Sequence, residues 1–238
     1  FVAAAALING AAFTPLTGTR KIILLVAASL PAAVLLPRII TGRTAQHAAM
    51  VALCALALAW VFWPVLTRWQ AGSIALFAAG SAALVLVLTL SFDRIRTNKA
   101  KLQGAALTLL LGVGLSATAA ASALLGQLAI ALAAGCGGAF LGWVILASAT
   151  RGKAAGQAII ALPYVMAPAL LGIAAVIFAR LPWYALIPLA AIPFAVSLAP
   201  LKFDSRFLRA LLATLPGLVI AIAVALWVWQ TSGSDSGY

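Results

Sequence analysis

The chain alternates between long apolar runs and short polar or charged stretches. A membrane-spanning helix needs about 20 mostly apolar residues, because the hydrocarbon core is about 30 Å thick and each helical residue rises about 1.5 Å. With charged and turn residues taken as the ends of the runs, the pattern predicts an all-α, polytopic transmembrane bundle of nine spans. The predicted spans are 1–17, 22–37, 46–66, 71–92, 102–121, 124–149, 155–179, 183–200 and 208–229.

The span count depends on two places in the chain. Only the Ala-rich polar stretch 116–122 separates the fifth and sixth runs, and the second run is short and contains Pro31. Eight spans is therefore the alternative count, with the second run as a re-entrant or tilted element. The first run begins at Phe1 without the basic flank that precedes a signal-peptide core, and we interpret it as the remainder of a first helix.

Composition agrees with a membrane protein and excludes several other classes. Of the 238 residues, 66% are hydrophobic and 8% are charged, whereas a soluble domain is about half apolar and roughly a quarter charged. This difference excludes an ordinary soluble globule, a disordered chain, a collagen-like fibre and a disulfide scaffold. Because no segment is long and polar enough for a soluble domain, residues 1–238 are predicted to form a single integral membrane domain.

The charge is strongly basic, with fifteen Lys and Arg against three acidic residues. Cytoplasmic loops of membrane proteins collect Lys and Arg. A cytoplasmic 93–101 loop puts eleven of the fifteen basic residues inside and six of the seven tryptophans near the outer interface. The N-terminus is then inside and the C-terminus outside, and the compact loops predict a bacterial inner membrane. Expected partners are membrane lipids, including anionic headgroups at the cytoplasmic face, and a partner subunit or second copy, but not nucleic acid.

Ionisable residues inside the predicted spans are scarce, and this scarcity excludes several mechanisms. No Asp or Glu falls in a span, His47 is the only histidine, and Cys54 and Cys136 lie in separate apolar runs. Acidic residues and histidines within membrane helices mark proton relays, ion-coupling sites and haem ligands. We therefore expect no carboxylate-based coupling site, no cofactor and no metal. The catalytic motifs of hydrolases and metalloproteases are also missing, which disfavours an enzyme.

Paired prolines mark a candidate substrate path in the seventh and eighth spans. Pro163 and Pro168 lie five residues apart, as do Pro188 and Pro193. Proline removes a backbone donor and kinks a helix, and many transporters build substrate sites from such breaks. The alternative is that the prolines, including Pro216 in the ninth span, only bend the last three helices for packing. Polar candidates for the same path are Gln127, Gln157 and Tyr164.

Small residues in the sixth span predict close helix packing. Gly138 and Gly142 form a small-xxx-small pattern, which lets two helices approach within the chain or between copies. Gly112 and Gly114 in the fifth span indicate that the fifth and sixth spans pack tightly.

Two acidic residues each end a span and open a basic loop. We interpret both as forming ion pairs that fix the cytoplasmic loops. Their four-span separation also fits a duplicated four-helix unit relating the regions around 93 and 204, although chance similarity is the favoured alternative. The loop residues concerned are Asp93, Arg94, Arg96, Asp204 and Arg206.

The sequence predicts function only as a class. The favoured hypothesis is a small permease or flippase-like transporter of a neutral or anionic small molecule or a lipid, without an intramembrane carboxylate. The alternative is a non-catalytic anchor or scaffold subunit of a larger membrane complex. An intramembrane transferase acting on a lipid is the weakest of the three, because one carboxylate per loop is too few to hold a magnesium diphosphate.

Overall fold

The computed structural model describes residues 17–120, 122–146, 161–199 and 206–234. Within these ranges 90% of the chain is helical and no strand is present. A short 3-10 helix, Trp183–Ala185, precedes α7. The α-helices of the described ranges are α1 (Gly18–Ile39), α2 (Arg43–Leu66), α3 (Ala71–Ile95), α4 (Lys99–Ala119), α5 (Ala123–Leu146), α6 (Ala161–Phe178), α7 (Leu186–Ala190), α8 (Ile192–Leu198) and α9 (Arg206–Ser234).

Five of these helices are long and apolar enough to cross a membrane: α1, α2, α3, α4 and the Leu211–Ser232 part of α9. They expose large apolar side chains such as Leu30, Leu56 and Leu76. Such surface is costly in water, at roughly 25 cal/mol per Å², but is compatible with lipid. The described residues therefore indicate an integral membrane protein. The nine predicted spans are not confirmed, since three further apolar helical stretches are shorter.

Most helix ends lie within a few residues of the predicted runs. The helices extend past several predicted ends to include Arg43, Arg94 and Lys99. A long basic side chain can remain in a helix because its aliphatic stem lies along apolar surface while its charge reaches the polar end. Nearly all of the predicted first run, 1–17, lies outside the described residues.

The predicted eighth span, 183–200, differs from the prediction because it is not one continuous helix. The 3-10 helix, α7 and α8 follow one another, and α7 and α8 are divided at Ala191. Pro188 and Pro193 each lie in the first turn of a short helix, where the missing N–H costs no intrahelical hydrogen bond. By contrast, α6 continues through Pro168 and α9 continues through Pro216.

The chain divides into two compact units. The first contains α1, α2, α3 as far as Leu90, and α6 as far as Leu170; the second contains the remaining described residues. The single membrane domain predicted from the sequence stays a prediction.

In the first unit, contacts near one end join α1, α2 and α3. Lys21 Nζ, near the start of α1, donates a hydrogen bond of 3.2 Å to the carbonyl of Trp60 in α2 and lies 5.2 Å from the indole centroid. Phe77 of α3 packs edge-on against Phe62 and Trp69, with ring centroids 5.9 and 5.7 Å away. Because α2 begins where α1 ends, the Lys21 contact shows that the two helices are antiparallel.

In the second unit, α4 is the central helix. Of the residues in its most apolar stretch, 67% are buried, compared with 22 to 33% in the other long helices. A helix that is apolar on all sides can face lipid or other protein elements. Here α5, α7, α8 and α9 pack around α4.

Candidate functional site

Small side chains let α4 and α9 approach closely along their length. Gly104, Thr108 and Gly112 follow one another at four-residue intervals on α4. A Cβ atom added at Gly112 would lie only 3.1 Å from the Cβ of Ala221 on α9. Such stripes of small residues are a common basis of helix association in membranes. The opposing residues on α9, from the first level to the third, are Ala213, Gly217 and Ala221.

The order of these contacts shows that α4 and α9 run parallel. Gly104 meets Ala213 and Gly112 meets Ala221, so residue numbers rise together along both helices. The basic N-terminal ends of both helices consequently lie at the same end of the second unit.

The helix α5 packs against α4 in the opposite direction. Gly114 of α4 meets Ala129, whereas Leu107, earlier in α4, meets Gly137, later in α5. The Thr118 hydroxyl donates a 2.8 Å hydrogen bond to the Gly114 carbonyl, so this polar group is satisfied within its own helix. The α4–α5 contact is therefore close and largely apolar.

The segment Trp183–Leu198, which we call the segmented span, packs on α4 and α9 and runs antiparallel to both. At one end the Tyr184 ring lies 5.0 Å from the ring of Trp227, late in α9. At the other end the Ser197 carbonyl accepts a 2.6 Å hydrogen bond from Lys101 Nζ, at the start of α4. The segmented span thus extends from an aromatic end of the second unit to a basic end.

Two buried polar side-chain atoms of α4, the helix on which the segmented span packs, have no hydrogen-bond partner among the described residues. Ser116 is fully buried, and its hydroxyl has no hydrogen-bond partner among the described residues; the same is true of the buried Oε1 of Gln103. Leaving such an atom unsatisfied costs about 1–3 kcal/mol. A water molecule or a polar solute can remove this cost, which makes both residues candidate contacts. Sequence reasoning did not identify them, although both are polar residues in an apolar run.

The basic end of the second unit is the α3–α4 turn, 93–101, together with α8. Arg96 Nε lies 3.3 Å from Asp93 Oδ1, so these two residues form an ion pair. The guanidinium of Arg94 lies 5.5 Å from the ring centroid of Phe194 on α8. Asp204 lies outside the described residues, and the Arg206 side chain is not described, so the second ion pair and the four-helix repeat stay predictions.

The predicted substrate-path residues fall in both units. Pro163, Tyr164 and Pro168 belong to the first unit, whereas Pro188 and Pro193 belong to the second. Pro163, Pro168 and Pro193 are buried, and Tyr164 and Pro188 are partly buried. The residue Gln157 lies outside the described ranges.

Gln127, the third polar residue predicted for the substrate path, is not in the interior of the second unit. It is exposed in the second turn of α5, close to the beginning of that helix. There its amide can reach the polar boundary of a membrane, so it does not require a buried partner.

Of the glycines predicted to pack closely, Gly112 and Gly114 lie at close helix contacts, whereas Gly138 does not. A Cβ at Gly138 would meet nothing within 4 Å, and the surroundings of Gly142 are not described. Close contacts also lie at Gly126 and Gly217. A pattern of paired glycines does not predict these two positions, because threonines, Thr118 and Thr108, face them.

Within the described residues, no group of three His, Cys, Asp or Glu side chains is placed to hold a metal ion. The segmented span and the helices that support it are the features from which a function can be inferred. Comparisons of this chain with protein-family models, with curated protein sequences and with solved structures found no match.

Proposed function

We propose that this protein is a small multi-pass permease or flippase-like transporter of a neutral or anionic small molecule or a lipid. The observation that carries this proposal is that the segmented span, which packs along α4 and α9, consists of short helices. Because Pro188 and Pro193 have no N–H, carbonyl groups of the preceding turns lack the donor that a continuous helix supplies. At membrane depth such groups are tolerated only inside protein or beside water, and many transporters use them to bind substrates.

The break at Ala191 weakens the backbone of this element. The Ala191 N–H is shared between the carbonyls of Ile187 and Pro188, at 3.2 Å each. Two residues later, Pro193 has no N–H to donate to the preceding turn. The short helices α7 and α8 can therefore shift relative to each other at a smaller cost than the halves of a continuous helix.

The lack of acidic residues in the predicted spans limits how transport can be driven. Proton- and sodium-coupled transporters commonly use intramembrane carboxylates, and all three acids of this chain fall outside the predicted spans. We propose that the transporter is uncoupled and driven by the substrate gradient, or is energised by a partner.

The parallel arrangement of α4 and α9 supports eight spans, or nine with the run 1–17. Parallel spans are separated by an odd number of crossings. Since α5 and the segmented span both run antiparallel to α4, α6 completes the required three. With the basic end in the cytoplasm, the C-terminus is outside, and the run 1–17 as a ninth span places the N-terminus inside, in a bacterial inner membrane. We also propose that prolines kink the last three spans.

Flux through liposomes that contain only the purified chain tests the transport proposal. Headgroup-labelled phosphatidylglycerol and phosphatidylcholine report lipid flipping, while entrapped radiolabelled glucose and lactate report neutral and anionic solutes. We expect at least one probe to move faster than in protein-free liposomes. Movement of none of them, together with a stably co-purifying partner protein, would contradict transport.

Proline variants connect flux to the segmented span. Replacing both Pro188 and Pro193 by Ala restores two backbone donors and favours a continuous helix, so the flux should fall to the protein-free rate. Pro64→Ala, in α2 of the first unit, is the matched control and should leave flux unchanged. Equal loss in both variants would indicate a general packing defect.

A second candidate function is a membrane anchor or scaffold subunit. The close small-residue packing of α4 with α5 and α9 favours an anchor or scaffold, because such packing forms a rigid core. One face of α9 also exposes the large apolar side chains of Leu211, Leu215 and Val219, which can contact another membrane protein.

A further inference from the structure

Two basic side chains contact α8 within one turn. Arg94 approaches Phe194, and Lys101 donates its hydrogen bond to the carbonyl of Ser197. Phe194 and Ser197 are three residues apart in a helix and therefore lie on neighbouring parts of its surface. The structure thus brings two positive charges from different helices to a single short element.

The chain supplies too few acids to neutralise this end of the second unit. Asp93 is the one acidic residue of the α3–α4 turn, and it pairs with Arg96. Across 93–101 and 202–209 the sequence has seven basic residues and two acids, so the balance is positive wherever Asp204 lies. An anionic ligand from outside the chain would therefore meet an excess of positive charge here.

An apolar surface begins beside these charges. Ile187, Phe194 and Leu198 are 61%, 44% and 70% exposed. Phe194 and Leu198 are four residues apart on α8 and lie on one face of that helix, and Ile187 precedes them on α7. A ligand that fits both features carries an anionic group at one end and a hydrocarbon chain at the other.

We propose that this surface binds one anionic phospholipid. Its phosphate contacts Arg94 and Lys101, and an acyl chain lies along Ile187, Phe194 and Leu198. A planar guanidinium supported by an aromatic ring retains N–H donors for a phosphate, and guanidinium–phosphate pairs are often bidentate. This lipid site does not depend on the transport proposal, because a resident lipid can occupy it in a transporter or in a scaffold subunit.

Native mass spectrometry of the detergent-solubilised full chain tests the site. Titration with phosphatidylglycerol and with phosphatidylcholine gives the apparent Kd of the first bound lipid. We expect tighter binding of phosphatidylglycerol, and about fivefold weaker binding after either Arg94→Gln or Lys101→Gln, since one cation near an anionic headgroup contributes about 1 kcal/mol. Arg94→Lys keeps the charge without the planar donor pair, so its loss should be smaller.

Lys99→Gln is the matched control. Lys99 has the same charge on the same helix, two residues from Lys101, and should change the Kd less than twofold. An equal loss in Lys99→Gln would indicate a diffuse basic surface and overturn the site. Equal binding of phosphatidylcholine would overturn it as well, and so would displacement of phosphatidylglycerol by millimolar inorganic phosphate, which would identify an ion site instead. Circular dichroism of each variant confirms that it is folded.

Discussion

Space at single positions determines how closely the helices of the second unit can pack. A Cβ atom at Gly217 would lie 2.8 Å from the Thr108 Cβ and 2.9 Å from Ile192 Cγ2. Neither neighbour is the free end of a long side chain, so neither can move away easily. Gly112 is less restricted, because its closest neighbour is the flexible end of Leu189. Gly217 is therefore the more sensitive of the two positions.

We expect Gly217→Ala to lower the free energy of unfolding by about 1–3 kcal/mol, the usual cost of adding a methyl group to a filled core. Chemical unfolding in detergent micelles, followed by circular dichroism, measures the change. Gly80→Ala and Gly138→Ala are controls because a Cβ at either position meets nothing within 4 Å. They should be neutral or slightly stabilising, since Ala favours a helix over Gly. A similar loss at Gly138 would contradict the packing described for these positions.

At the scale of elements, the sequence predicted most helices well because apolar runs and membrane helices have similar lengths. It could not predict the division of the segmented span. Pro168 and Pro216 occur within helices that continue, whereas Pro188 and Pro193 occur at helix beginnings. The same residue type has both outcomes, and the result depends on neighbouring turns and on the helices that cover them.

The sequence predicted that the fifth and sixth spans pack together, but not that α4 also packs along α9. Tight packing of the fifth and sixth spans was an expectation from Gly112 and Gly114. In the structure Gly114 faces α5, while Gly112 faces α7 and α9. Residues two positions apart on a helix point in different directions. Two nearby glycines therefore need not face the same neighbouring helix.

Disulfide crosslinking tests the parallel direction of α4 and α9. In a chain with Cys54 and Cys136 replaced by Ala, the pair Gly112→Cys and Ala221→Cys should crosslink on mild oxidation, because their Cβ atoms would be close to the disulfide range. The crosslinked chain is identified by its mobility on a non-reducing gel, and the fraction of the protein in that band gives the yield.

The pair Gly104→Cys and Ala221→Cys is the matching control for this crosslink. It shares one residue with the first pair but joins different levels of the two helices, so it should stay reduced. Crosslinking of the second pair in preference to the first would show that the helices are antiparallel.

At the scale of the whole molecule, the charge distribution predicts an orientation, although four basic residues, Arg20, Lys21, Arg68 and Arg180, fall on the predicted outer side. Lys21 falls on the side that the charge bias assigns to the exterior. Its contacts with the carbonyl and ring of Trp60 give that charge a local partner at the level where indoles favour the membrane interface. The orientation inferred from the basic residues stays a prediction.

Labelling from one side of the membrane tests the orientation. Thr97, in the α3–α4 turn, and Ser232, near the end of α9, are exposed. With the native cysteines replaced, a membrane-impermeant maleimide should label Ser232→Cys in intact bacterial spheroplasts, and Thr97→Cys only after permeabilisation. The yield is read from the mass shift of the purified protein. Labelling of both positions from the same side would contradict an odd number of crossings from α4 to α9.

The contact between α4 and α9 has a consequence for biosynthesis. Roughly 110 residues separate Gly112 from Ala221, and translation at about 5–20 residues per second makes α9 on the order of 5 to 20 seconds after α4. During this interval the small-residue stripe of α4 has no α9 to cover it. A chain that terminates before α9 keeps that stripe uncovered, which makes the last helix the step that completes the core and truncated chains targets for membrane quality control.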